Sequence, residues 1–165
     1  MLGSARNDGR IMDLLGFDNP TFTAYAFAAA LMILKIMGQG WMTVWLMTRT
    51  DAGLVSPEDL HATPFNKNPR PEQLEPHPEV ERSRRMHRND LENIPAFLAA
   101  GLLFVAAAPP HWLAVTLFAG FVLARLAHAW AYATAQNHEV RAAFYSAGSL
   151  IVIAMALWVL VAALA

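Results

Sequence analysis

Arg85, Asn89 and Glu92 stand at i, i+4 and i+7, so on a helix they line one face over two turns. Arg88 and Glu92 form a second i, i+4 pair. Further along, Arg125, His128 and Tyr132 stand at i, i+3 and i+7, and Arg141 and Tyr145 are one turn apart. Arginine forks grip carboxylates, while amides and phenols add neutral hydrogen bonds. Glu92 balances one arginine, and the remaining cations make a site for a small anionic ligand. For Arg82 and Arg84 a simpler reading suffices, with long side chains snorkelling to lipid headgroups. Arg125 resists it, because it sits a turn or more inside an apolar run, where charge costs at least about 2.5 kcal/mol. A partner for Arg125 inside the protein is expected. His128 taken alone reads more readily as a hydrogen-bonded core residue than as a catalyst.

Composition removes several chemistries. The chain has no cysteine, so disulfides, thiolate metal sites and a cysteine nucleophile are excluded, and any thiol must arrive with a ligand. A formal net charge of −1 gives no basis for nucleic-acid binding. The 6 histidines contain no i, i+4 pair and no HExxH arrangement, so no metal site is expected. No glycine-rich phosphate loop or Ser/His/Asp signature is present.

The elements that must carry these residues are membrane helices. The chain is 56% hydrophobic and 15% charged over 165 residues, too apolar for an ordinary soluble domain of that size. Residues 1–20 read as a polar leader without a signal-peptide core. A first helix over 21–48 holds Lys35 as its only charge and is long enough to cross the roughly 30 Å hydrocarbon layer. The polar segment 49–78 holds six of the 10 prolines and forms a long extramembrane loop, in which Ser56-Pro57-Glu58-Asp59 can open a short helix. A second helix over 79–108 is charged only in its first half, and Pro95 predicts a kink or a broken hydrogen-bond ladder. Pro109-Pro110 makes a tight turn, followed by helices over 111–135 and 140–163. The expected fold is therefore an all-α integral membrane, multi-pass four-helix bundle, with residues 21–165 as one domain. Arg49, Lys67, Arg70, Arg82, Arg84, Arg85, Arg88 and Arg141 cluster on or beside one pair of loops, which places loop 49–78 and the polar site on the cytoplasmic side; Arg6 and Arg10 lie opposite.

The segment Val80-Glu81-Arg82-Ser83-Arg84-Arg85-Met86-His87-Arg88-Asn89-Asp90-Leu91-Glu92-Asn93-Ile94 closely resembles the signature of the MAPEG superfamily, the membrane-associated proteins of eicosanoid and glutathione metabolism. Ser56-Pro57-Glu58-Asp59, Arg125-Leu126-Ala127-His128 with Tyr132, and Arg141 with Tyr145 extend the likeness, which covers about residues 35–150 and is strongest to the glutathione transferase and prostaglandin E synthase branch. The resemblance implies a homotrimer with glutathione bound between subunits, open to the cytoplasm. By position it assigns glutathione binding to Arg85, Arg88, Asn89, Glu92, Arg125, His128, Tyr132 and Tyr145, and activation of the thiol to Arg141. Lys35, Arg49, Asp59 and His87 are further candidates. The implied activity is a glutathione transferase acting on a small lipophilic electrophile, or a peroxidase acting on a hydroperoxide, at the lipid bilayer. Ala142 departs from the serine of the prostaglandin synthase branch and argues against the isomerase alternative. A non-enzymatic lipid-binding or scaffold member of the same fold is the remaining alternative.

Overall fold

Each helix begins on a recognisable start signal in a computed structural model that describes residues 14–165. Helix α1, Pro20–Thr50, starts with proline in its first turn, and the Asn19 side chain accepts the Thr21 N–H at 2.9 Å. Helix α2, Pro78–Ala106, again opens on proline, with Glu79 and Glu81 in the first turn. Helix α3, His111–Ala133, follows the Pro109-Pro110 turn. Helix α4, His138–Leu164, is capped by Asn137, whose side chain accepts the Val140 N–H at 3.1 Å. Two helices end earlier than their apolar runs suggest. Ala108 and Ala135 take positive φ values of 48° and 54°, which reverse the chain after α2 and α3. Most of the 1–20 leader, including Arg6 and Arg10, lies outside the described residues.

Among the described residues there are only helices and loops. Helices α1, α3 and α4 are long and apolar enough to cross a membrane, whereas α2 carries its charges in the half nearest the long loop. Sequence-adjacent helices run antiparallel, and α2 packs against the other three. The α2 helix passes through Pro95 without interruption. A proline cannot donate to the carbonyl four residues back, so the ladder loses one bond at Leu91 while the helix continues.

Aromatic packing fills the half of the bundle away from the charges. Phe97 stacks on Phe121 at 4.0 Å between centroids, and Phe118 meets Phe97 and Phe104 edge-on. Tyr25 reaches from α1 into this cluster and donates its hydroxyl to the Leu98 carbonyl at 2.6 Å. Gly101 makes room for that ring, since a Cβ there would lie 2.7 Å from Tyr25 Cε2.

The segment between α1 and α2 is held by one buried amide. Gln73 donates to Asp51 at 2.6 Å and to Asn66 at 3.1 Å, and accepts from Asn66 and the Arg70 N–H. Asp51 also pairs with Arg70. Arg84 ties this loop to α2 by donating to the Gly53 carbonyl at 2.6 Å and to Glu81 at 2.5 Å. It is a brace and does not reach toward headgroups as its position first suggests. The Ser56-Pro57-Glu58-Asp59 stretch forms a single 3-10 turn, Pro57–Asp59, and a second turn spans Pro71–Leu74.

Gly101→Val should destabilise the bundle by about 1–3 kcal/mol through overpacking against Tyr25. The loss should shrink when Tyr25→Ala is added, and thermal unfolding in detergent measures both. Equal losses in the two backgrounds would contradict the packing account.

Candidate active site

Asp90, on the first half of α2, is fully buried and takes a cation from each of two other helices. Its Oδ2 pairs with Lys35 of α1, and its Oδ1 accepts from Arg125 Nη2 of α3 at 2.5 Å. Arg125 is itself fully buried, so this carboxylate is the interior partner its position demanded. Glu92 does not fill that role. Two residues along a helix turn about 200°, so Asp90 faces the bundle interior while Glu92 faces outward. The same Arg125 nitrogen lies 3.0 Å from Nδ1 of His128, one turn further along α3.

On the outer side of this cluster, α2, α3 and α4 enclose an open groove of about 370 Å³ at the end of the bundle nearest the long loop. Arg85 and Asn89 come from α2, His128 and Tyr132 from α3, and His138, Arg141 and Tyr145 from α4. Asn89 donates to the Tyr132 hydroxyl at 2.8 Å. Arg141 lies over the face of the same ring, 4.9 Å from its centroid, and its Nε donates to the Asn137 carbonyl at 3.2 Å. Tyr145 donates to Glu92 at 3.2 Å, which brings that carboxylate to the edge of the groove. Among the described residues, Arg85, Arg88, Arg141 and Glu92 form no salt bridge, so the i, i+4 pair of Arg88 and Glu92 is not closed. Arg85 and Arg141 thus offer two guanidinium groups beside one carboxylate. The start of α4 lies beside Arg141 and adds the positive end of a helix dipole.

The other candidates are dispersed. Arg125 and Lys35 lie behind the groove wall in the Asp90 cluster. Arg88 and His87 line a separate recess toward α1, with Arg84. Arg49 is exposed at the end of α1, with its guanidinium 5.1 Å from the Trp45 ring centroid. Asp59 is exposed in the long loop. Asp90 and His138 are absent from the residues that spacing singled out. For Asp90 the signal was available: Lys35 and Arg125 both interrupt apolar runs, and Asp90 is the acid one helical step from the Arg85–Asn89 stripe. His138 gives no comparable signal, because it stands in a short polar link.

Comparison with known proteins matches residues 23–161 to the MAPEG family. Human microsomal glutathione S-transferase 1 is 34% identical over 139 residues, covering 84% of this chain and 88% of that protein. The pig protein of the same name is 33% identical over 138 residues, covering 84% and 88%. Human prostaglandin E synthase is 29% identical over 146 residues, covering 88% and 92%.

The Asp90 cluster makes a stability prediction. Asp90→Ala leaves two buried cations without their shared partner and should cost about 3–5 kcal/mol. Lys35→Met should cost less, because Asp90 keeps Arg125, and replacing all three residues by apolar ones should recover much of the loss. Thermal unfolding of the detergent-solubilised variants checks the order; equal losses for Asp90→Ala and Lys35→Met would contradict it.

Proposed function

The chain belongs to the MAPEG family, and from that premise we propose that this integral membrane four-helix protein is a glutathione transferase whose α2–α3–α4 groove binds the tripeptide and favours its thiolate. The observation that carries this reading is the pairing of two unneutralised guanidinium groups with one carboxylate in the same groove. Glutathione presents two carboxylates and one ammonium. Arg85, lining the groove, takes an acid group and Glu92 takes the ammonium, while Asn89, Tyr132 and Tyr145 supply neutral hydrogen bonds and Arg125, fully buried against Asp90, supports the site from behind the wall. His128 completes the lining, while Arg88 faces the separate recess toward α1. Bound glutathione supplies the nucleophilic sulfur. A free thiol titrates near pH ~8.5, so lowering that by ~2 units needs ~2.7 kcal/mol of preferential thiolate stabilisation. In this reading Arg141 provides it, which its position over Tyr132 beside the start of α4 supports.

The name of one relative, a microsomal glutathione S-transferase, supports glutathione transfer, and the other is named a prostaglandin synthase. Ala142 lines the groove next to Arg141 and brings no hydroxyl, which favours the transferase over an isomerase. A lipophilic electrophile or hydroperoxide would reach the sulfur from the bilayer. A scaffold without activity is disfavoured by the unpaired cations, which bring charge to the groove without a structural partner.

Trimerisation belongs to the same proposal. Arg85, Arg88 and Glu92 are exposed on α2 although that helix packs against three helices long and apolar enough to cross a membrane, and exposed charge facing lipid is costly. A neighbouring copy covering this face would complete the site and exclude lipid. The basic residues of the loops favour a groove open to the cytoplasm.

Two measurements test the assignment. Arg141→Ala should lower conjugation of chlorodinitrobenzene about 100-fold, equivalent to about 2.7 kcal/mol of lost stabilisation, while leaving the oligomer intact by native mass spectrometry. Unchanged turnover would overturn the role of Arg141. Arg85→Ala and Glu92→Ala should each weaken glutathione binding, measured by calorimetry, more than they lower saturated turnover. Wild-type affinity in both variants would remove the binding assignment.

A further inference from the structure

The buried cluster and the groove share one residue, and the bond that joins them constrains its chemistry. Arg125 Nη2 carries two N–H groups and meets two partners, Asp90 Oδ1 at 2.5 Å and His128 Nδ1 at 3.0 Å. A guanidinium only donates, so Nδ1 of His128 must accept. An imidazolium has no free acceptor nitrogen, so the ring in this contact is neutral and its single proton is on Nε2. That Nε2 is buried and has no hydrogen-bond partner among the described residues. It belongs to a ring lining the groove, 4.9 Å from the centroid of Tyr132 and 6.4 Å from that of Tyr145.

We propose that Asp90 is a positioning residue that acts through Arg125 to hold His128 as the Nε2–H tautomer, so that His128 donates a hydrogen bond to an acceptor oxygen of the ligand in the groove. The chain of contacts starts on α1. Lys35 holds one oxygen of Asp90 and thereby orients the other toward Arg125. Asp90 then fixes the guanidinium plane, and the second N–H of Nη2 is directed at His128. Arg125 Nε and Nη1 have no protein partner among the described residues, so Nη2 makes both of the observed contacts. Loss of Asp90 would free the guanidinium to turn, and His128 would then exchange between its two tautomers. In the Nδ1–H form Nε2 would be an acceptor and would repel an oxygen. The acceptor class is a carboxylate or peptide carbonyl, both of which glutathione has, and to that extent the inference rests on the function proposed above.

The tautomer is measurable without ligand. Nitrogen NMR of histidine-labelled protein in detergent, with the His128 signal identified by its loss in His128→Gln, should show a neutral ring with a bare Nδ1 and a protonated Nε2. A wild-type ring protonated on Nδ1, or exchanging between forms, would overturn the proposal, and this reading requires no substituted protein to fold except for assignment. In Asp90→Asn, or in Arg125→Lys if that variant is the better folded, the ring should exchange between tautomers. The same variant should raise KM for glutathione about tenfold, as expected for one lost hydrogen bond to a charged group, with a smaller change in kcat. A fixed Nε2–H ring in both variants would also overturn it. If the wild-type ring has the predicted tautomer but the protein does not bind glutathione, the positioning stands and the function proposed above fails.

Discussion

One carboxylate in the interior determines how three helices meet. Asp90 takes Lys35 from α1 and Arg125 from α3, so the charged halves of α1, α2 and α3 share a single electrostatic anchor. The geometry is demanding because none of the three can turn outward at low cost. Charge facing hydrocarbon is unfavourable, and a buried cation without its anion is more so. The cluster therefore specifies register along the helices, a task that apolar packing between leucines performs poorly. Phe97, Phe118 and Phe121 then fill the remaining depth of the bundle with ring contacts that add area and shape but no charge.

The groove follows from that anchor by helical geometry. With Asp90 turned inward, Asn89 is rotated by about 100° on α2 toward Tyr132, and Arg85 and Glu92 continue the same outer stripe. On α3, Arg125 faces Asp90, which sets His128 and Tyr132 along the adjoining edge. Helix α4 contributes Arg141 and Tyr145 from its first two turns, where Asn137 caps the helix and bonds back to the Arg141 side chain. Each wall of the groove is thus a by-product of a helix start or of the buried pair, and its cations are free because the interior carboxylate serves other residues. Two cations share one carboxylate in the interior, and the rim adds Arg85 and Arg141 without a salt-bridge partner among the described residues.

Much of this was legible in the residue spacing. The stripes Arg85–Asn89–Glu92, Arg125–His128–Tyr132 and Arg141–Tyr145 follow from a period of 3.6, and all of those residues but Arg125 line or border the groove as the stripes suggest. Arg125 is where periodicity alone was insufficient. Its stripe places it with the groove residues, yet its partner is decided by which acid on another helix shares its depth, and that depends on tertiary packing. Asp90 and Glu92 are two positions apart and indistinguishable by composition, while their faces differ by about half a turn. Arg84 shows the same limit. Its position suits a headgroup contact, but a carbonyl at Gly53, beyond a loop whose shape depends on Gln73, captures it instead. Continuity of α2 through Pro95 also depends on its neighbours, since Tyr25 and Phe118 pack around the next turn.

We propose that the groove's excess cationic charge ionises the thiol of bound glutathione. Rapid mixing of the purified protein with glutathione, followed by the ultraviolet absorbance of the thiolate, measures this directly and involves no second substrate. The expected result is a thiolate signal that saturates with glutathione at a pH where the free tripeptide is almost wholly protonated. Saturable binding with no thiolate signal would contradict it.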